Sequence, residues 1–265
     1  MNRKKIVFLI VLLSIAAILL ISFMIMVICG NLKNFNFSFN FGKNKSETIA
    51  FEGSYELEDI DNIYIKSDAG DIKVERSTSG KVEVVIYAEK DAKVESNLDN
   101  RKLEINSNAN NKKGFFKWGN NANEVVVFVP ENYDKEINIS NDYGECTIGD
   151  FENSNIKLKA NCGDIKIGEI KGIDATCNYG NIKIGTVYNK CDIKADYGNI
   201  VINNVQIKEN SSIKANCGNI DIKEVNDICI DSQANLGSSK IHKNNEFSDI
   251  ILSVTANCGN IDIAK

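Results

Sequence analysis

The sequence KANCGDIKI, from Lys159 to Ile167, is the unit of a repeat, because near-copies of it recur through the C-terminal half of the chain. The last copy, NCGNIDI from Asn257 to Ile263, lies almost at the C-terminus. Self-similarity at about 20 residues is typical of solenoid proteins, in which each repeat forms one coil of a stack. We therefore predict one continuous solenoid domain in place of two globular domains.

The glycine of each copy marks a change in the apolar pattern. Around Gly163, the apolar residues Ile156 and Leu158 stand at odd offsets before the glycine, and Ile165 and Ile167 stand at even offsets after it. A strand cannot change the parity of its inward side without a bend, so the glycine is predicted to form the corner of a coil. The predicted corners are Gly70, Gly144, Gly163, Gly180, Gly198, Gly218, Gly237 and Gly259.

This pattern predicts an all-β protein: a single-stack, parallel β-helix-like solenoid. The spacings from the second corner glycine onward are 19, 17, 18, 20, 19 and 22 residues, and the chain has 18 glycines and 1 proline. Aspartate or asparagine stands two positions before each corner glycine, where Asx side chains favour turns, so we expect a ladder of them. A calcium site is the alternative. It is disfavoured because calcium-binding β-rolls use a repeat of about nine residues with two glycines.

The N-terminus has the composition of a membrane anchor. Residues 6–28 carry no charge and are long enough to cross a bilayer as one transmembrane α-helix. Arg3, Lys4 and Lys5 precede this segment, which predicts a cytoplasmic N-terminus at residues 1–5. We expect residues 29–50 to be a juxtamembrane tether and residues 51–265 to be the extracytoplasmic solenoid. The expected location is therefore the cell membrane, single-pass, with the lipid bilayer contacted by residues 6–28.

The charge balance disfavours nucleic acid as a partner. Of 31 basic and 36 acidic side chains, three basic ones lie in the first 30 residues, so residues 31–265 carry a net charge of −8. Nucleic acid requires clustered lysine and arginine. A candidate contact for another partner is the polar loop around residues 106–123, which carries Phe115, Phe116 and Trp118. Such aromatic side chains either form a binding tip or fold back over a sheet edge.

No arrangement of residues predicts catalysis, a cofactor or a metal site. The chain has one histidine, His242, and no CxxC pair, so the parts of a zinc site or a Cys–His catalytic pair are lacking. Three cysteines, Cys162, Cys217 and Cys258, share the position before a corner glycine, and we expect that no two of them lie in neighbouring coils. The expected state is reduced, with Cys146, Cys177 and Cys191 filling the core.

The final repeat ends without an evident capping segment, which predicts an open sheet edge. We expect a partner protein, a second copy of the chain or an earlier part of the chain to cover it. Self-association through this C-terminal coil is thus one expected contact.

The tandem coils with Asn-Cys-Gly-Asn-Ile or Asp-Tyr-Gly-Asn-Ile, the element at Gly70–Val74 and the apolar strand ending at Val129 and Pro130 resemble a bacterial family. This is the membrane-anchored putative-adhesin family of β-strand-repeat proteins, also described as toastrack, and the resemblance covers about residues 50–265. It implies a right-handed solenoid and no catalytic residues. The expected function is a non-catalytic cell-surface adhesin, scaffold or sensor that contacts protein or cell wall; the alternative is a β-helix that binds or hydrolyses cell-wall polysaccharide.

Overall fold

The computed structural model describes residues 44–45, 48–89, 92–108 and 121–264, within a compact unit spanning Asn40–Lys265. These residues form strands and one short 3-10 helix, Leu57–Asp59, so the all-β solenoid expected from the sequence is confirmed. In this part of the chain, no helix has the length and apolar character needed to cross a membrane. The expected segments 1–5 and 6–28, and most of the expected tether, lie outside the described residues.

Two sheets, parallel except at the end formed by the early part of the chain, contain the strands that precede and follow the corner glycines. Strands β12 and β13 contribute to both sheets because each runs from one corner to the next. In spatial order, the first sheet consists of β6 (Lys93–Asp99), β7 (Lys102–Asn108), β3 (Asn62–Ser67), β9 (Glu136–Tyr143), β11 (Phe151–Cys162), β12 (Ile165–Tyr179), β13 (Ile182–Tyr197), β15 (Ser211–Cys217), β19 (Ile251–Cys258) and β17 (Cys229–Leu236).

The second sheet runs alongside the first in the same coil order. Its strands are β2 (Ile49–Glu56), β5 (Lys81–Tyr87), β8 (Asn121–Pro130), β4 (Gly70–Ser77), β10 (Cys146–Ile148), β12, β13, β14 (Ile200–Val205), β16 (Ile220–Val225), β20 (Ile261–Ile263) and β18 (Ser239–Ile241). The remaining strand, β1 (Asn44–Lys45), pairs with β8.

The stack is closed differently at its two ends. At the end formed by the early part of the chain, β6, β5 and β2 pair in antiparallel fashion, and the Tyr55 hydroxyl donates to Ser96 Oγ at 2.8 Å to join β2 to β6. At the other end, the outermost strands are β17 and β18. Ser232 and Ser239 take inward positions there, and their hydroxyl oxygens lie 2.6 Å apart. Two polar side chains thus replace apolar ones in the outermost coil, while Ile230 remains buried.

The order of the coils in space differs from their order in the chain. The C-terminal coil, β19 and β20, lies between the coil of β15 and β16 and the coil of β17 and β18. The expected cover of the C-terminal coil is therefore present, because each of its strands has a paired neighbour on both sides, so this coil has no open edge through which a second copy could pair. The strands that cover it are β17 and β18, from an earlier part of the chain. This was one of the three kinds of cover expected from the sequence.

Columns of isoleucine fill the space between the sheets. The positions two and four after each corner glycine face inward, and at these positions Ile165, Ile182, Ile200 and Ile220 stack in register and are fully buried or nearly so. Burying one such side chain is worth about 1.5–3 kcal/mol. No isolated coil can bury its isoleucines, so the coils are stable only when stacked.

The corner glycines form a column in which backbone touches backbone. A Cβ atom added at any of the eight would lie between 1.9 and 2.1 Å from a carbonyl oxygen of the neighbouring coil. For seven of them that oxygen belongs to the next corner glycine; for Gly70 it belongs to Asn123. Six of the eight also have φ between 137° and 156°, a conformation that other L-residues rarely adopt. The corner therefore requires glycine for two independent reasons.

We predict that Gly163→Ala lowers the free energy of unfolding by about 3 kcal/mol or more, because it combines positive φ with a clash against backbone. The matched control is Gly80→Ala, whose added Cβ meets no atom within 4 Å. This variant should change the free energy of unfolding by no more than about 0.5 kcal/mol. Urea unfolding of the two variants and the parent measures the difference. Equal unfolding midpoints for the two variants would contradict the close approach at the corner.

Candidate functional site: the corner ridge

The residues directly before the corner glycines form a row of side chains on the surface, here called the corner ridge. Strand register places them next to one another in successive coils. In spatial order the corner ridge consists of Ala69, Tyr143, Cys162, Tyr179, Tyr197, Cys217, Cys258 and Leu236. The row lies on the outside of the bend, so its side chains point away from the core.

Large apolar side chains are concentrated on the corner ridge. Among the described residues, seven large hydrophobic side chains are exposed, and four of them, Tyr143, Tyr179, Tyr197 and Leu236, belong to this one row. Tyr143 is 62% exposed and Leu236 is 72% exposed. The rings of Tyr179 and Tyr197 stack with centroids 5.1 Å apart and planes 2° from parallel. The stacking fixes two neighbouring aromatic rings as one rigid element of the surface.

A ladder of side-chain hydrogen bonds flanks the corner ridge on one side. It is formed by the residues two before each glycine, the upstream Asx column. Asn178 donates its amide to Asn161 Oδ1 at 2.9 Å, and Asn161 in turn donates to Asp142 Oδ1 at 2.6 Å. Further along the stack, Asn257 donates to Asn216 at 2.9 Å. The expected Asx ladder is therefore confirmed for these coils.

A second ladder, the downstream Asx column, flanks the other side and consists of the residues directly after the glycines. Here a side-chain oxygen accepts a backbone N–H from the next coil. Asn181 N–H donates to Asp164 Oδ1 at 2.8 Å, Asn199 N–H to Asn181 Oδ1 at 3.0 Å, and Asn219 N–H to Asn199 Oδ1 at 2.8 Å. These bonds give an acceptor to backbone N–H groups at the corners, where the hydrogen bonds between strands do not provide one. They also repeat the corner geometry from coil to coil.

The flat outer faces of the sheets carry charges that neutralise one another. Lys157 Nζ lies 2.7 Å from Glu136 Oε2, and Lys194 Nζ lies 3.1 Å from Asp196 Oδ1. Exposed pairs of this kind contribute little to stability, typically less than about 1 kcal/mol. Their consequence is that these faces combine both signs of charge in alternation. The corner ridge, which carries no charged residue, differs from them sharply.

The cysteines fall into two groups. Cys146, Cys177 and Cys191 are buried, as expected for core filling. Burial raises the pKa of the Cys146 thiol to about 12 and that of Cys177 to about 11, and it also raises the pKa of Cys191. Raised thiol pKa values make these groups poor nucleophiles at neutral pH.

The corner-ridge cysteines are arranged differently from the sequence-based expectation. Cys217 and Cys258 are direct partners in neighbouring parallel strands, because the C-terminal coil is inserted next to β15. The expectation that no two corner cysteines lie in neighbouring coils is therefore wrong. It assumed that the coils stack in chain order. Cys162 lies between Tyr143 and Tyr179 and is half-buried.

An open cavity of about 460 Å³ lies beside β6 and β7 and is lined by Ala92, Lys93, Val94, Glu95, Asn106 and Asn108. Its single carboxylate, Glu95, accepts a hydrogen bond from Asn106. Hydrolysis of a glycosidic bond uses two carboxyl groups, so this cavity does not supply the required pair. Elsewhere in the described residues, no three His, Cys, Asp or Glu side chains converge to hold a metal ion. His242 lies beside Asp262, with Nε2 3.2 Å from Oδ1.

The structure brings the eight predicted corner glycines together in one column, whereas the loop residues Phe115, Phe116 and Trp118 lie outside the described residues. The exposure of the corner ridge and the downstream Asx column were not foreseen. A sequence signal existed for both. Tyrosine and cysteine exchange at the position before the glycine, which a tightly packed core position would not permit, and Asn or Asp follows six of the eight glycines.

Comparison with solved structures finds several that are similar to this chain. A crystal structure of a putative adhesin from Bacteroides fragilis matches with a TM-score of 0.53 and 17% identity over 82% of this chain and 98% of the other. A putative cell adhesion protein from Clostridium sporogenes matches at 0.44 and 14% identity, over 82% and 99%. A putative lipid binding protein from Parabacteroides distasonis matches at 0.41 and 16%, over 83% and 99%.

No curated protein matches the sequence. The family model described as Toastrack DUF4097 matches residues 60–264, which include every coil from β3 to β20. The chain belongs to the toastrack DUF4097 family.

Proposed function

We propose that this protein is a non-catalytic adhesin of the bacterial cell envelope that binds its partner through the corner ridge. The concentration of exposed tyrosine and leucine side chains in one row carries the proposal. Tyrosine is enriched among the residues that dominate the affinity of protein interfaces, because it offers a large apolar face with a polar tip. The Bacteroides fragilis structure with the same fold is named a putative adhesin, which supports this assignment.

The surroundings of the corner ridge suit it to binding. The two Asx columns hold their polar groups in hydrogen bonds within the stack, so the ridge is framed by ordered side chains that lose little freedom on contact. A rigid surface loses less conformational entropy on binding than a mobile one does. Successive ridge residues are separated by the distance between parallel strands, about 4.8 Å, which presents a partner with a regular row. Such a row fits an extended segment of protein or a cell-wall chain.

The proposal includes display of the solenoid outside the cell. Residues 6–28 would span the membrane once, residues 1–5 would remain in the cytoplasm, and residues 29–50 would connect the span to the first coils. The sequence supports this through the uncharged stretch and the three basic residues that precede it.

The adhesion test compares the purified full chain with the variant Tyr143→Ser, Tyr179→Ser, Tyr197→Ser. The probe is cell-wall fragments from the producing bacterium, and the measurement is the amount of protein retained after washing. We expect the triple variant to bind at least about tenfold more weakly, since each tyrosine contributes apolar contact area. The matched control is Phe247→Ser, because Phe247 is 97% exposed and lies off the ridge. Unchanged binding by the triple variant, or equal loss in the control, would exclude the ridge.

Treating the fragments with protease before binding separates the two classes of partner. Binding that survives indicates wall polysaccharide, and binding that is lost indicates a protein of the envelope.

The topology is tested separately on intact cells that produce the full chain. Protease added outside should degrade residues 30–265 and leave residues 1–5 with the membrane, because the barrier lies between them. Detection with one antibody against the C-terminal coil and one against an epitope at the N-terminus measures this. Protection of the C-terminal coil until the cells are lysed would overturn the proposed display.

A further inference from the structure

The two cysteines at the inserted C-terminal coil occupy equivalent places. Cys217 is the last residue of β15, and Cys258 is the last residue of β19. They are 41 positions apart in the chain but are partners in the parallel ladder between these strands. The N–H of Gly218 donates to the carbonyl oxygen of Cys258 at 2.9 Å, so the corner that follows them is hydrogen-bonded between the two coils.

The strand geometry brings these two residues within reach of a covalent bond. Partner residues of neighbouring parallel strands have Cα atoms about 4.8 Å apart, and disulfides form between Cα atoms about 4.4–6.8 Å apart. Both side chains leave the same side of the sheet, because they are in register on the corner ridge. Each is half-buried, which leaves a path for a small oxidant.

The other described cysteines lack this arrangement. Cys162 has tyrosine as its partner on both sides, and the partner of Cys229 is Ile251. Cys177 pairs in register with Ala160 and Ala195, so no thiol faces it across the ladder. Cys162, which shares the ridge and the half-buried state, is therefore a matched internal control.

We propose that Cys217 and Cys258 are a redox-modification site that forms a disulfide by exchange with an external disulfide. The thiolate of one cysteine attacks the external disulfide, which gives a mixed disulfide and releases one thiol. The thiolate of the other cysteine then attacks the bound protein sulfur, forms the new S–S bond and releases the second thiol. The two cysteines lose two electrons and two protons, and the external disulfide becomes two thiols.

The bond has a defined structural consequence. It closes a loop with 40 residues between the two cysteines, which contains the whole outermost coil, β17 and β18, and it ties the C-terminal coil to β15. A cross-link of this kind restricts the unfolded chain and opposes departure of the C-terminal coil from the stack. The proposed disulfide depends only on the strand register that pairs Cys217 with Cys258, so it is independent of the proposed adhesion.

The test treats the purified full chain with oxidised glutathione, blocks remaining thiols with an alkylating reagent, digests the protein and maps cysteine peptides by mass spectrometry. We expect the Cys217 and Cys258 peptides to be joined, at a mass two hydrogens below their sum, while Cys162 is alkylated or carries glutathione. Separate glutathione adducts on Cys217 and Cys258, or two alkylated thiols, would overturn the proposal.

Variants and a stability readout complete the test. Cys217→Ser and Cys258→Ser should each abolish the joined peptide, whereas Cys162→Ser should leave it unchanged. Oxidation should raise the urea midpoint of the parent and of Cys162→Ser, reversibly on reduction, and should not raise the midpoint of the other two variants. Because the parent protein is measured in both redox states, the outcome does not depend on whether a variant folds. An equal rise in all four proteins would contradict the proposed link.

Discussion

The close approach of backbone to backbone at the corner is the constraint on which the structure depends. Each corner glycine faces a carbonyl oxygen of the next coil at a distance that excludes a Cβ atom. This contact holds neighbouring coils in strict register, and register in turn stacks isoleucine on isoleucine inside and Asx on Asx outside. The corner ridge follows from the same register, because one residue per coil must lie on the outside of the bend.

The insertion of the C-terminal coil shows what such a stack permits. Because every coil presents a nearly equivalent surface to its neighbours, a coil can be added at either side of another without regard to chain order. The same exchange occurs at the opposite end, where β3 lies between β7 and β9. The outermost coil has Ser232 and Ser239 where the neighbouring coil has Val254 and Ile261, and it is suited to the end of the stack because these serines leave less apolar surface exposed. Its sequence is the one that departs most from the repeat.

Much of this architecture is predictable from the sequence. The parity change at glycine predicts the corners and the inward isoleucines, and the Asx residues predict the upstream column. The order of the coils is not predictable in this way, since the repeat specifies how a coil stacks but not which coil is its neighbour. The proximity of Cys217 and Cys258 depends on that order and was missed for this reason. The exposure of the corner ridge was not foreseen, although the exchange of tyrosine with cysteine at the position before the glycine is a sequence signal for it.

Amide hydrogen exchange followed residue by residue measures directly whether the C-terminal coil is internal to the stack. Strand β19 has a paired neighbour on each side, whereas within the described residues β17 pairs with β19 alone. We predict slower exchange for residues 252–258 than for residues 231–236, although the former are nearer the C-terminus. Faster exchange in residues 252–258 would place the C-terminal coil at the open end of the stack and exclude its insertion between the other two coils.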